Sequence, residues 1–158
     1  MTDARFEDGD DRPLHLMAED ADDLKVIAAL VQDSIFPITE MSFDRRTRRF
    51  ALMLNRFRWE DAEAAQRAGR GVERVRSVLV VQDVLKARTQ GIDRQDRETI
   101  LSLLSVDFQA GAEGAGTVLL TLAGDGAIAL QVEALDMALT DVSRPYLAPS
   151  GHVPRHPD

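Results

Sequence analysis

Ser42-Phe43-Asp44-Arg45-Arg46-Thr47-Arg48-Arg49-Phe50-Ala51-Leu52-Met53-Leu54-Asn55-Arg56-Phe57-Arg58-Trp59-Glu60 gathers six arginines and the only tryptophan of a chain whose net charge is -8. Its second half alternates. Phe50, Leu52 and Leu54 share one face of an extended segment, while Ala51, Met53, Asn55 and Phe57 share the other. That period of two predicts a strand from Arg49 to Phe57 with both faces largely covered. Ile38 to Phe43 is a second extended, apolar stretch, and the polar Asp44-Arg45-Arg46-Thr47-Arg48 between them reads as a hairpin turn.

Upstream the period is helical. Leu24, Ile27, Ala28, Val31 and Ile35 recur on one face behind an acidic run, Glu19 to Asp23, suited to a helix N-terminus, and Pro37 stops the pattern. The spacing predicts a helix over Asp22 to Ile35, preceded by a short strand over Pro13 to Met17. Downstream, Ala62 to Gly71 is a brief helical turn or a loop. Val75 to Thr89 fits a helical face tolerably, but its density of valine favours a strand, broken near Asp83. Thr99 to Phe108 is a further strand. Thr117 to Leu122 and Ala127 to Val132 flank Gly124-Asp125-Gly126, where Asp-Gly supplies the positive φ of a tight hairpin. Residues 134–143 form either a short closing helix or another strand.

The fold class is therefore α+β: a mostly antiparallel curved sheet or half-open barrel of six to seven strands, with one N-terminal helix packed on it. Residues 1–11, with five acidic groups, read as a solvated tail; residues 12–146 form the single domain, and the proline-broken 147–158 an irregular tail. Val31-Gln32-Asp33 recurs as Val81-Gln82-Asp83, but the first copy lies in a helix and the second in a strand, which argues against a duplicated unit.

Composition narrows the chemistry. A chain of 158 residues with 44% hydrophobic residues can bury one self-sufficient core. It has no cysteine, so no disulfide or thiolate site, a usage that fits a reducing cytoplasm. Nothing resembles a signal peptide, and no apolar run approaches the roughly 18 residues of a membrane span. From Asp44 to Arg76 ten arginines face five carboxylates, a local balance of +5, which leaves -13 for the rest of the -8 chain. Clustered guanidinium groups hold anions bidentately. Arginine outnumbers lysine everywhere, however, 17 to two, so part of the bias is general.

Catalytic, metal and cofactor signatures are missing. His152 and His156 have a spacing that would pinch a metal on a helix, but Pro154 stands between them. His15, between two leucines, reads as an ordinary strand residue. Carboxylate pairs are too many to single one out, and neither a phosphate-binding glycine loop nor a nucleophile elbow is present. No cofactor or metal is expected. The candidate binding residues are Arg45, Arg46, Arg48 and Arg49 at the hairpin tip and Asn55, Arg56, Arg58 and Trp59 at the far end of the strand. A strand of this length spans roughly 30 Å at about 3.3 Å per residue, so these are two clusters.

The string Asn55-Arg56-Phe57-Arg58-Trp59-Glu60 resembles a family of small alphaproteobacterial proteins classed as a domain of unknown function, DUF2948. Asp22-Asp23-Leu24, Gln32-Asp33, Gly91-Ile92-Asp93, Leu101 to Leu104 and Ala127 to Glu133 carry the resemblance along most of the body. It implies a bacterial cytoplasmic protein and assigns no activity. Where an aromatic is expected within the strand 78–82 this chain has Val-Leu-Val-Val-Gln, so no ligand contact is carried over there. The favoured function is a non-enzymatic binding or accessory module that docks an acidic protein partner, or another copy of itself, through Arg56, Arg58 and Trp59, since arginine and tryptophan anchor interfaces. An enzyme holding a small anionic substrate with arginines is the second reading. Nucleic-acid binding through the hairpin tip is the third, disfavoured by the net charge and the lack of a basic and aromatic platform.

Overall fold

The computed structural model describes residues 12–147 apart from Arg94. The acidic tail and all but the first residue of the proline-rich tail, with His152 and His156, lie outside the described residues. The strands are β1 (His15–Ala18), β2 (Ile35–Pro37), β3 (Met41–Asp44), β4 (Arg49–Phe57), β5 (Arg74–Val81), β6 (Val84–Gln90), β7 (Ile100–Ala110), β8 (Gly116–Leu122), β9 (Ala127–Val132) and β10 (Met137–Asp141). Two helices, α1 (Ala21–Val31) and α2 (Ala62–Arg67), accompany them. The ten strands form one open antiparallel sheet in the order β1-β10-β5-β4-β2-β7-β8-β9-β6, with β3 paired to β4 beside β2. An α+β fold with a mostly antiparallel sheet is thus as expected, but ten strands replace six or seven and two helices replace one.

Each difference has a physical cause. The helix ends at Val31 instead of Ile35, because Gln32 is extended (φ -58, ψ 134) and Asp33 takes a left-handed φ of 65. The backbone is drawn onto the sheet there: Asp33 N–H donates to Leu103 O and Leu103 N–H to Ser34 O, both at 2.8 Å. Ile35 keeps the helical spacing of apolar residues yet begins β2. That three-residue strand pairs with β4 through Ile35 and Asn55 and with β7 through all its residues, and so joins the two halves of the sheet. Ile38–Glu40 is a 3-10 turn where an extended segment was expected, so β3 is short. Residues 134–143 hold strand β10.

The expected break at Asp83 is present, with φ 57, but its consequence is large: β5 pairs with β4 and β10, whereas β6 crosses to pair with β9 at the far edge. The repeated Val-Gln-Asp string follows from this. Asp33 and Asp83 both turn the chain with positive φ at the end of an element, a shared turn that needs no duplication. In the β8–β9 hairpin the residues with positive φ are Gly124 and Asp125, one position earlier than the expected Asp-Gly pair.

The core lies inside the curve of the sheet. Phe50, Leu52 and Leu54 of β4 continue across Leu79 and Val81 of β5 to Met137 and Leu139 of β10, and meet Val118, Leu120, Ile128 and Leu130 from the other half. Helix α1 closes this hollow. Asp20 caps it by accepting from Asp23 N–H at 2.8 Å, and its buried Leu24, Ile27 and Val31 join the same core. Burying a side chain of this kind contributes about 1.5–3 kcal/mol.

One close approach yields a direct check. A Cβ on Gly116, at the start of β8, would sit 2.4 Å from Gln109 O and 2.7 Å from the Phe108 ring. Gly116→Ala should cost about 1–3 kcal/mol in urea unfolding. Gly71→Ala, which meets only Leu147 Cδ2 at 3.7 Å, should stay within about 0.5 kcal/mol. Equal losses in the two would contradict this packing.

Candidate functional site

The alternation that buries Phe50, Leu52 and Leu54 puts Arg56 on the same inner face of β4, so the sequence period itself drives a guanidinium into the core. Arg56 is 0% exposed. A buried charge is tolerable only when its donors are met, and here all are. Its Nη1 and Nη2 donate to the two oxygens of Glu60 at 2.9 Å each, and Nη2 also donates to Asp141 Oδ1 at 3.0 Å. Nη1 reaches Phe57 O at 3.1 Å, and Nε donates to Ser77 Oγ at 3.0 Å. Asp141 in turn accepts from Ser77 Oγ–H at 2.6 Å and from Leu14 N–H at 3.0 Å. Burial alone would depress the Arg56 pKa; hydrogen bonding and charge from Glu60, with those of Asp141, more than offset it and raise the pKa above the ordinary arginine value.

The neighbours of Arg56 in the string make further ties. Arg58, only 6% exposed, pairs with Glu73 and at 3.5 Å with Asp61, which also accepts from Arg70 at 2.7 Å. Trp59 Nε1–H donates to Gln32 O at the end of α1, at 2.8 Å. Its ring lies 5.1 Å from that of Phe57, over which Arg74 is stacked at 4.8 Å. Tyr146 O–H donates to Asn55 Oδ1 at 2.7 Å. Asn55, Arg56, Arg58 and Trp59 therefore stand together as expected, but they join β4 to α1, β10 and the chain beyond it, and Arg56 and Arg58 face inward rather than outward.

The four tip arginines separate. Arg48, in the left-handed region at φ 57, is ion-paired to Glu133, and its carbonyl accepts from Val84 N–H at 2.9 Å. Arg49 leans on Gln82 Oε1 at 3.4 Å. Arg46 is exposed. Arg45 faces a cleft that the sequence did not disclose.

That cleft arises from the sheet being open. Among the described residues β3 pairs only with β4 and β6 only with β9, and both line one hollow. The bond from Val84 to Arg48 closes the gap at one end, and beyond it the two edges part. Met41 and Phe43 of β3, Phe50 of β4, Ala87 of β6, Ile128 of β9 and Ile38 form the apolar floor. Thr39, Ser42, Thr89, Arg45 and Arg97 supply its polar groups, around a volume of about 440 Å³. This lies within the roughly 300–1,000 Å³ of typical ligand clefts. Neither Arg45 nor Arg97 has an ion-pair partner among the described residues. The described residues of the lining include no His, Asp or Glu. No group of three metal-ligating side chains occurs among the described residues. His15 is exposed and bonded to Thr140 Oγ1 at 2.8 Å.

Sequence reasoning placed Arg45 in the tip cluster and missed Arg97, which sits in a run of charges, Asp93 to Glu98, that reads as a solvated turn. Only the pairing of strands far apart in the chain brings the two together.

The family model described as "Protein of unknown function (DUF2948)" matches residues 14–156. No curated protein and no solved structure matches the chain. No helix among the described residues is long and apolar enough to cross a membrane.

Removing the buried cation leaves Asp141 and Glu60 confronting each other. Arg56→Ala should therefore lower stability by about 3–5 kcal/mol in chemical denaturation. Arg46→Ala, on the exposed turn, should change it by no more than about 0.5 kcal/mol. A stable, unchanged Arg56→Ala protein would contradict the structural role given to Arg56.

Proposed function

The chain belongs to the DUF2948 family, and from that footing we propose that it is a non-enzymatic binding module that docks an acidic partner in the cleft between β3 and β6. The observation that carries this reading is the pair of arginines, Arg45 and Arg97, at an apolar hollow with no carboxylate ion-paired to them among the described residues. Four other arginines are met by carboxylates: Arg48 by Glu133, Arg56 by Glu60 and Asp141, Arg58 by Glu73, Arg70 by Asp61. Two guanidinium groups left without counter-charges beside a concave apolar surface suit a ligand that brings both a carboxylate or phosphate and apolar bulk.

Within this reading Asn55, Arg56, Arg58 and Trp59 support the sheet, and the partner meets Arg45 and, beside it on the turn, Arg46. The chemistry of the lining favours binding over turnover. General acid–base catalysis needs a group that exchanges a proton near neutral pH. The cleft offers threonine and serine hydroxyls and two permanently charged arginines, so an anion held there finds no side-chain base to activate it or a nucleophile.

The test is binding of a fluorescent hexaglutamate peptide, followed by anisotropy across a salt series. The wild-type protein should bind it and release it as salt rises. Arg45→Glu with Arg97→Glu should weaken binding at least about tenfold, which is 1.4 kcal/mol, with the unfolding midpoint unchanged. Equal affinity in the double variant would overturn the assignment.

A further inference from the structure

The cleft is bounded by an unfilled sheet edge as well as by side chains. Strand β6 runs from Val84 to Gln90 and, among the described residues, no strand pairs with its second edge. It is the longer of the two terminal strands of the sheet, since β1 covers only His15–Ala18. Its side chains are sorted by face. Ala87 and Thr89, opposite Leu130 and Ile128 on β9, point into the cleft, whereas Lys86 and Arg88, opposite Gln131 and Ala129, are exposed on the outside. Lys86 is one of only two lysines in the chain. Neither it nor Arg88 has an ion-pair partner among the described residues.

We infer that the acidic partner docks by strand addition: an extended segment with alternating acidic and apolar residues pairs with the free edge of β6. This rests on the cleft reading above and specifies its ligand. A strand added there runs about 4.8 Å from β6, and its side chains alternate between the two faces. One set enters the hollow against Phe43, Phe50 and Ala87. The other set lies outside beside Lys86 and Arg88, where opposite charges across a strand pair are stabilising and like charges are not. The same two cations discriminate between occupants. A second copy pairing through its own β6 would set Lys86 and Arg88 against their equivalents, so the edge rejects self-pairing and admits an acidic strand. The alternation sends only the apolar set into the hollow, so Arg45 and Arg97 meet acidic residues that flank the added strand. The bond from Val84 to Arg48 limits entry at one end, so the added strand occupies the part of β6 beyond Lys86.

The experiment uses the full chain, isotope-labelled for amide resonances, and a capped peptide of alternating glutamate and valine. Two modified peptides carry N-methyl groups, one on every glutamate amide and one on every valine amide. Because the amides of a strand alternate between its two edges, only one of these sets faces β6. The inference predicts that the unmodified peptide shifts the amide signals of Arg88 and Thr89, that one methylated peptide loses affinity at least tenfold, roughly 1.4 kcal/mol, and that the other keeps it. Lys86→Glu with Arg88→Glu should weaken the unmodified peptide by a similar factor. Equal binding by both methylated peptides would overturn strand addition and leave the anion cleft standing. Binding of hexaglutamate without binding of the alternating peptide would do the same. Binding of neither would overturn both.

Discussion

A guanidinium on the inner face of β4 is the constraint around which this molecule is built. Arg56 occupies a position that strand alternation directs into the core, where an unpaired charge would be strongly destabilising. Its donors are met by residues brought from three places: Glu60 just beyond the strand, Ser77 on β5 and Asp141 on β10. Pairing of this kind is seldom more stabilising than an apolar replacement of the same volume. What it does impose is geometry. The fork of the guanidinium donates to Glu60 and Asp141 together only when β10 lies in register beside β5 and the chain turns immediately after Phe57, so the charge network ties β4, β5 and β10 into one arrangement.

The rest of the string extends that selection. Trp59 reaches the end of α1, Asn55 receives Tyr146, and Arg58 gathers Glu73 and Asp61. With these ties made, α1 packs over β4 and β7, and among the described residues β2 is the one strand that pairs with both halves of the sheet. So short a junction leaves the sheet curved but unclosed. The cleft between β3 and β6 is the geometric residue of that incomplete closure, bridged by one backbone bond from Val84 to Arg48 and the ion pair of Arg48 with Glu133. Polar satisfaction at one end of β4 thus contrasts with cations near the other that have no ion-pair partner among the described residues.

Local signals in the sequence were good where one strand or one turn decides the outcome. Arg49 to Phe57 is β4 to the residue, the break at Asp83 is real, and the Glu19 to Asp23 run does open a helix. Errors arose where distant pairing overrides local pattern. Ile35 keeps helical spacing but is captured by β7; the Val75 to Thr89 run is a strand broken at Asp83 as read, but the pattern did not disclose that its two parts join opposite ends of the sheet. The same limit explains the site. Arg56, Arg58 and Trp59 have the composition of an interface anchor, yet burial depends on which carboxylates the fold delivers, and Asp141 is far along the chain. Arg97 and Lys86 carry no local mark at all; their meaning comes from the edge they stand beside.

Arg56 and Asp141, joined by a bidentate contact at 3.0–3.1 Å, act as one unit across β4 and β10. A double-mutant cycle with Arg56→Met and Asp141→Leu, followed by urea unfolding, measures it directly. The double variant should recover a large part of the losses of the single variants, with a coupling energy of about 1–3 kcal/mol between the two positions. Single losses that simply add, leaving no coupling, would contradict it.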